Sequence, residues 1–178
     1  MRKIFFFSIL LLFLSVLAPT NNALAGVSDN VSGYAWAENI GWISFNCTDL
    51  GSCGVVNYGA NIDASGIFSG YAWAENIGWI SFNRSDTGAP PAAPDYGTHL
   101  AEVNLTTKEA SGWARALAYG GGWDGWLKLR GTNYGLTLDD VVSPAEVHEW
   151  AWSDSVIGWL NFNCADTMVC GISNFKVI

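Results

Sequence analysis

Ser32-Gly-Tyr-Ala-Trp-Ala-Glu-Asn-Ile-Gly-Trp-Ile-Ser-Phe-Asn46 is repeated letter for letter from Ser69 to Asn83. A verbatim internal repeat of this length decides the fold class before composition does, because each copy must bury the same surface against its neighbours. Altered copies follow at Ser111-Gly-Trp-Ala-Arg-Ala116 with Trp126-Leu-Lys-Leu-Arg130, and at Glu149-Trp-Ala-Trp152 with Gly158-Trp-Leu-Asn-Phe-Asn163. Four units result, spanning about 31–63, 67–104, 110–140 and 147–178.

Inside the phrase, strand a runs from Ser32 to Ala37, with Tyr34 and Trp36 on one face and Gly33, Ala35 and Ala37 on the other. Glu38-Asn-Ile40 turns the chain, and Gly41 to Asn46 returns as strand b. Both faces of the hairpin carry apolar side chains, so it is expected to be covered on both sides over part of its length. A third strand, c, runs from Gly54 to Ile62 and recurs around Asp95-Tyr-Gly97, Asn133-Tyr-Gly135 and Asn174-Phe-Lys-Val-Ile178. Helical templates fail because Gly, β-branched and aromatic residues dominate.

The expectation is an all-β fold of four quasi-repeats, each of three short antiparallel strands. They close into a ring when the last strand, near Phe175, meets the first, near Tyr34, which removes the exposed edges. A shallow barrel ringed by hairpins is the first form, a four-bladed propeller-like ring the second, and an open solenoid the third. The eight tryptophans that recur on strands a and b (Trp36, Trp73, Trp113, Trp152; Trp42, Trp79, Trp126, Trp159) are read as structural aromatics.

Arg2-Lys3, an apolar run from Ile4 to Ala18 and Ala23-Leu-Ala25 form the charge, core and cleavage pattern of a secretory signal peptide, so residues 1–25 are set apart from the domain 26–178. No later stretch is apolar enough to span a bilayer. Cleavage removes Arg2 and Lys3 but no acid, taking the formal net charge from −8 to −10. Such a surface repels nucleic acid and anionic lipid.

The cysteines form two pairs at the same place in two repeats, Cys47 with Cys53 and Cys164 with Cys170, each after Phe-Asn. Local disulfides 47–53 and 164–170 are the economical connectivity in an exported chain, and the spacing does not suit zinc. The repeats differ in how b leads to c. Repeats one and four use the Cys loops, repeat two a stiff Pro-rich arm from Arg84 to Pro94, and repeat three only Gly131-Thr132.

Candidate ligand residues come from repeat three, where the phrase is most altered. Its a–b turn presents Tyr119 and Trp123 beside Arg115, Lys128 and Arg130, the one basic cluster in an acidic chain. Trp150, like Trp123, stands outside the recurring tryptophan pattern and joins them as a platform for sugar faces. An acidic residue precedes each Gly-Trp of strand b or its equivalent: Glu38, Glu75, Asp124 and Asp154. In a closed ring these share one rim, where turn chemistry alone accounts for them and a cation or sugar hydroxyls are the functional alternative. No catalytic residue, metal ligand or cofactor motif is nominated: His99 and His148 occupy unrelated positions, and no Gly-x-Ser-x-Gly occurs. Asn46, Asn83 and Asn104 begin Asn-x-Ser/Thr sequences.

The phrase SGYAWAENIGWISF, together with Gly112-Trp-Ala-Arg-Ala and Gly122-Trp-Asp-Gly-Trp-Leu-Lys-Leu, resembles the units of uncharacterised secreted bacterial Gly-Trp-rich β-repeat proteins. The resemblance implies an exported or cell-surface β-repeat module, and it carries no activity, cofactor or ligand residue with it. The functional expectation is a secreted, periplasmic or cell-surface binding module without catalysis, for carbohydrate or another envelope polymer. A structural or adhesive repeat without a small ligand is the alternative, and a hydrolase ranks below both.

Overall fold

The computed structural model describes residues 26–91, 99–142 and 144–178. Residues 1–25, expected from their sequence to be a signal peptide, and residues 92–98, which hold Asp95-Tyr-Gly97 and the end of the Pro-rich arm, lie outside them.

Repeat one supplies β1 (Tyr34–Ala37), β2 (Gly41–Ser44) and β3 (Ala60–Ile62); repeat two supplies β4 (Phe68–Ala74), β5 (Gly78–Ser81) and β6 (Glu102–Val103). Repeat three contains β7 (Ala110–Ser111), β8 (Trp113–Ala116), β9 (Trp126–Lys128), β10 (Arg130–Gly131), β11 (Tyr134–Gly135) and β12 (Thr137–Leu138). Repeat four contains β13 (Val147–His148), β14 (Trp150–Trp152) and β15 (Trp159–Asn161). The a and b strands pair antiparallel in the order β2-β1-β15-β14-β9-β8-β5-β4, and β4 pairs back to β2, closing an eight-stranded up-and-down barrel. The c segments lie at one end. Among the described residues, β3 leads by hairpin into β4, β6 into β7 and β12 into β13, and the last segment, Lys176 to Ile178, pairs with Ser32 to Tyr34.

Alternation sends the nearly bald face of strand a inward. Ala35, Ala72, Ala114 and Ala151 form one fourfold set inside the barrel, Ile43, Ile80, Leu127 and Leu160 another, and Phe45, Phe82, Leu129 and Phe162 a third. Small residues from a and large residues from b fill a bore too narrow for eight indoles. The recurring tryptophans are therefore on the outer face, which corrects the expectation that repetition of Trp marks the surface each unit hides. Ile40 and Ile157, with the partly buried Ile77 and Trp123, pack against the core from the a–b turns.

Each a strand begins with one left-handed residue: Gly33, Gly70 and Gly112 in the first three repeats and Glu149, with φ +73°, in the fourth. The register shows the equivalence, since Phe45, Phe82, Leu129 and Phe162 donate their backbone N–H groups to the carbonyls of these four residues. A Cβ at Gly33 or Gly70 meets a backbone oxygen at 2.0 or 2.1 Å, so glycine is required there. Glu149 keeps the same conformation at a cost of about 1 kcal/mol or more.

The disulfides join Cys47 to Cys53 and Cys164 to Cys170, with Cα atoms 4.8 and 4.9 Å apart. Each contributes about 2 kcal/mol by the loop-entropy estimate. The Pro-rich arm begins differently from the extended course expected of it: Arg84–Thr87 is a single helical turn. The reason is Asp86, whose carboxylate accepts hydrogen bonds from Tyr71, Ser81, Asn83 and Ser85 and ties the loop to the barrel.

Candidate functional site

The outer face carries the aromatic side chains in cross-strand clusters. Trp36 meets Trp42 edge-on at 4.6 Å between ring centroids, Trp73 meets Trp79 at 4.6 Å, and Trp152 meets Trp159 at 4.8 Å. The preceding aromatic of strand a adds Tyr34, Tyr71, Trp113 or Trp150 at 6.1–6.4 Å from the same b-strand indole. The c aromatic of the previous repeat completes the cluster, with Phe175 on Trp42, Tyr58 on Trp79 and Tyr134 on Trp159. Such pairs are worth about 0.5–1.5 kcal/mol each beyond the area they bury.

Between the clusters run three neighbouring grooves. One of about 350 Å³ lies between Tyr134, Glu149, Trp150 and Trp159. The next, about 340 Å³, shares Trp150 and Trp159 and reaches Trp36, Glu38, Trp42 and Asn161. The third, about 660 Å³, shares Trp36 and Trp42 and reaches Trp73 and Glu75. Trp36, Trp42 and Trp159 are 36%, 42% and 45% exposed, unusual for indoles in a folded domain. The amide nitrogen of Asn161 is buried and makes no hydrogen bond, while its carbonyl oxygen accepts from Asn163 N–H. A smaller apolar hollow, about 180 Å³, is lined by Val31, Ile62, Leu105 and Leu138 and holds no aromatic ring.

The residues expected to bind are distributed differently. Arg115 occupies the Trp36 position of repeat three, since it pairs with Trp126 as Trp36 pairs with Trp42. Its guanidinium lies 3.5 Å from the Tyr119 ring and 4.6 Å from the Trp126 ring, and it donates to the carbonyls of Asp124 and Thr87. Tyr119 is exposed, but one face of its ring is taken by Arg115. Trp123 packs against the core with its indole N–H buried. Arg130 is held by the carbonyls of Ala110 and Leu136 and by Glu109, and Lys128 lies 5.7 Å from the Trp113 ring. Trp150 stands in the row of Tyr34, Tyr71 and Trp113, so it belongs to the repeat pattern, and it lines two of the grooves.

The rim acids separate. Asp124 and Asp154 accept backbone N–H bonds within their own turns, whereas Glu38 and Glu75 enter different grooves. Among the described residues no three His, Cys, Asp or Glu side chains come together as a metal site. A second set of acids escaped the sequence reading: Asp49, Asp86 and Asp166, each three residues after Asn46, Asn83 or Asn163. Asp49 accepts from Gly33 N–H and Asp166 from Glu149 N–H. Burial pushes the Asp86 carboxyl up, but the bonds from Tyr71, Ser85, Ser81 and Asn83 outweigh it and hold the group below its ordinary value. The recurring Asn-x-x-Asp spacing was the available signal. Asn46, the first of the Asn-x-Ser/Thr positions, is buried.

Two histidines have polar neighbours without forming a catalytic relay. His99 Nε2 meets Ser111 Oγ at 3.1 Å and Glu102 at 3.8 Å, both on one ring nitrogen, whereas a relay needs the hydroxyl and acid on opposite nitrogens. His148 Nδ1 lies 3.2 Å from Asp166, a carboxylate already engaged with Glu149 N–H. Comparison with protein-family models, with curated proteins and with solved structures found no match.

Proposed function

We propose that the mature protein is an exported, non-catalytic module that binds a linear carbohydrate along the outer aromatic belt. The observation that carries this reading is the run of three grooves sharing exposed indoles, because flat aromatic faces stack on the C–H faces of sugars without requiring charge. Export is supported by the leader pattern of residues 1–25 and by two disulfides, which persist in oxidising compartments. A lipid-facing role for the belt fits poorly, because the barrel strands have three to seven residues where a membrane strand needs about 9–11.

Sedimentation with insoluble polysaccharides and titration of tryptophan fluorescence with soluble oligosaccharides test the reading. Trp42→Ala and Trp159→Ala are expected to weaken binding at least tenfold, and Tyr119→Ala to leave it unchanged. Saturable binding that survives both tryptophan substitutions moves the site off the belt. Self-association or cell attachment without any glycan binding favours the structural or adhesive alternative.

A further inference from the structure

We propose that the polymer is polycationic: a linear hexosamine chain whose free amino groups are protonated. The inference rests on the binding reading above and names the ligand class of the same belt. Each of the three grooves carries one glutamate, respectively Glu149, Glu38 and Glu75, and none is lined by Lys, Arg or His. All three glutamates are exposed, and none makes a hydrogen bond or ion pair through its carboxylate with a described residue. Other acids of the chain are engaged, as Asp86 is by four side chains and Glu109 by Arg130. A lone carboxylate beside indole faces is the arrangement that attracts an organic cation, through charge on one side and the ring quadrupole on the other. The net charge of the mature chain steers a polycation in the same direction.

Glu149 carries the argument furthest. It holds the left-handed position that the other three repeats give to glycine, so a side chain is kept there against backbone strain. What that side chain supplies is a carboxylate lining a groove with Trp150 and Trp159. The buried, unpartnered amide nitrogen of Asn161 lines the adjoining groove and lacks an acceptor, which a sugar hydroxyl can provide. The grooves adjoin through shared tryptophans, which suits successive residues of one chain better than a single small cation.

The test compares a glucosamine hexamer with its fully N-acetylated counterpart by calorimetry at low and moderate salt. The free-amine hexamer is expected to bind at least tenfold more tightly, with the advantage shrinking as salt rises. Glu38→Gln combined with Glu149→Gln is expected to erase that advantage, bringing the affinity for the amine hexamer down to that for the acetylated one. Glu149→Gly is expected to raise the melting temperature and to weaken binding of the amine form, separating strain from function. Equal binding of the two hexamers overturns the cationic assignment and leaves carbohydrate binding standing. Tetramethylammonium binding as tightly as the amine hexamer overturns the polymer assignment, and failure of both hexamers and of neutral glycans overturns the binding reading itself.

Discussion

Repeats one and three occupy equivalent quarters of the barrel and present opposite surfaces. In repeat one, Trp36 and Trp42 pack edge-on and Trp42 is 42% exposed; in repeat three, Arg115 takes the place of Trp36, lies over Trp126 and leaves it 7% exposed. Arg115, together with the longer a–b turn that brings Tyr119 over it, thus converts an open aromatic platform into a closed one. Departure from the phrase in repeat three looks like a site gained, but the guanidinium, the carbonyls of Thr87 and Asp124 and the Tyr119 ring satisfy one another. The open surface belongs to the copies that keep the phrase and to repeat four.

The comparison depends on interior and belt being separable, and the largest effect tests that separation. Ile43 is fully buried in the set with Ile80, Leu127 and Leu160. Ile43→Ala is expected to reduce the unfolding free energy by about 3 kcal/mol in urea denaturation, through the cavity it leaves, with sugar affinity retained in the folded fraction. Trp42→Ala, one position earlier on the same strand, is expected to cost about 1–2 kcal/mol and to lose binding. Equal stability losses with equal binding losses break the division between a barrel that folds and a belt that binds.

Arg115→Ala sharpens the comparison from the closed side. It removes two hydrogen bonds from a charged donor and a stacked cation, with an expected loss of about 2 kcal/mol. It also uncovers Trp126, so acrylamide quenching of the indole fluorescence increases. Lysine at this position does not restore stability, because an ammonium cannot match the planar fork that reaches two carbonyls while stacking. Quenching that stays at the wild-type level shows that something other than Arg115 covers Trp126.

Ring closure and both disulfides were legible because they depend on local patterns repeated at fixed spacing, whereas the expected place of the c strands in the ring was not borne out: β2 pairs directly with β4, and β15 closes onto β1. Gly-Tyr-Ala-Trp-Ala alternates unambiguously, and Cys47–Cys53 and Cys164–Cys170 close short loops. Which face turned inward was not legible from period alone: alternation separates Ala35 from Trp36 but does not say which belongs inside. Bore size decides it, and bore size is a property of eight strands together. Equivalence across altered repeats failed for a related reason. Trp113 matches Trp36 by eye, but the register aligns it with Tyr34, and only hydrogen-bond pairing reveals Arg115 as the substitution. The left-handed backbone at Glu149 was hidden because a glutamate there looks like ordinary sequence drift.

The smallest expected effect concerns the loops that repeat three lacks. Asn83-x-x-Asp86, like Asn46-x-x-Asp49 and Asn163-x-x-Asp166, folds the b–c connection onto the start of strand a, whereas Gly131-Thr132 carries no such acid. Asp86 is held below its ordinary value in the folded protein by its four donors, against the upward push of burial. A depressed folded value means that the unfolded chain takes up the proton first. The stabilisation is therefore complete above the ordinary value of about 4 and disappears as pH falls through the lower folded value. Glu146, held down by hydrogen bonds from Lys176 and Asn163, titrates in the same direction. Thermal melts of wild type and Asp86→Asn between pH 7 and pH 2 are expected to differ by a constant amount above pH 5 and to converge towards pH 2. A gap that persists at pH 2 assigns the turn's contribution to packing instead of charge, and would make the loops of repeats two and three alike in everything but length.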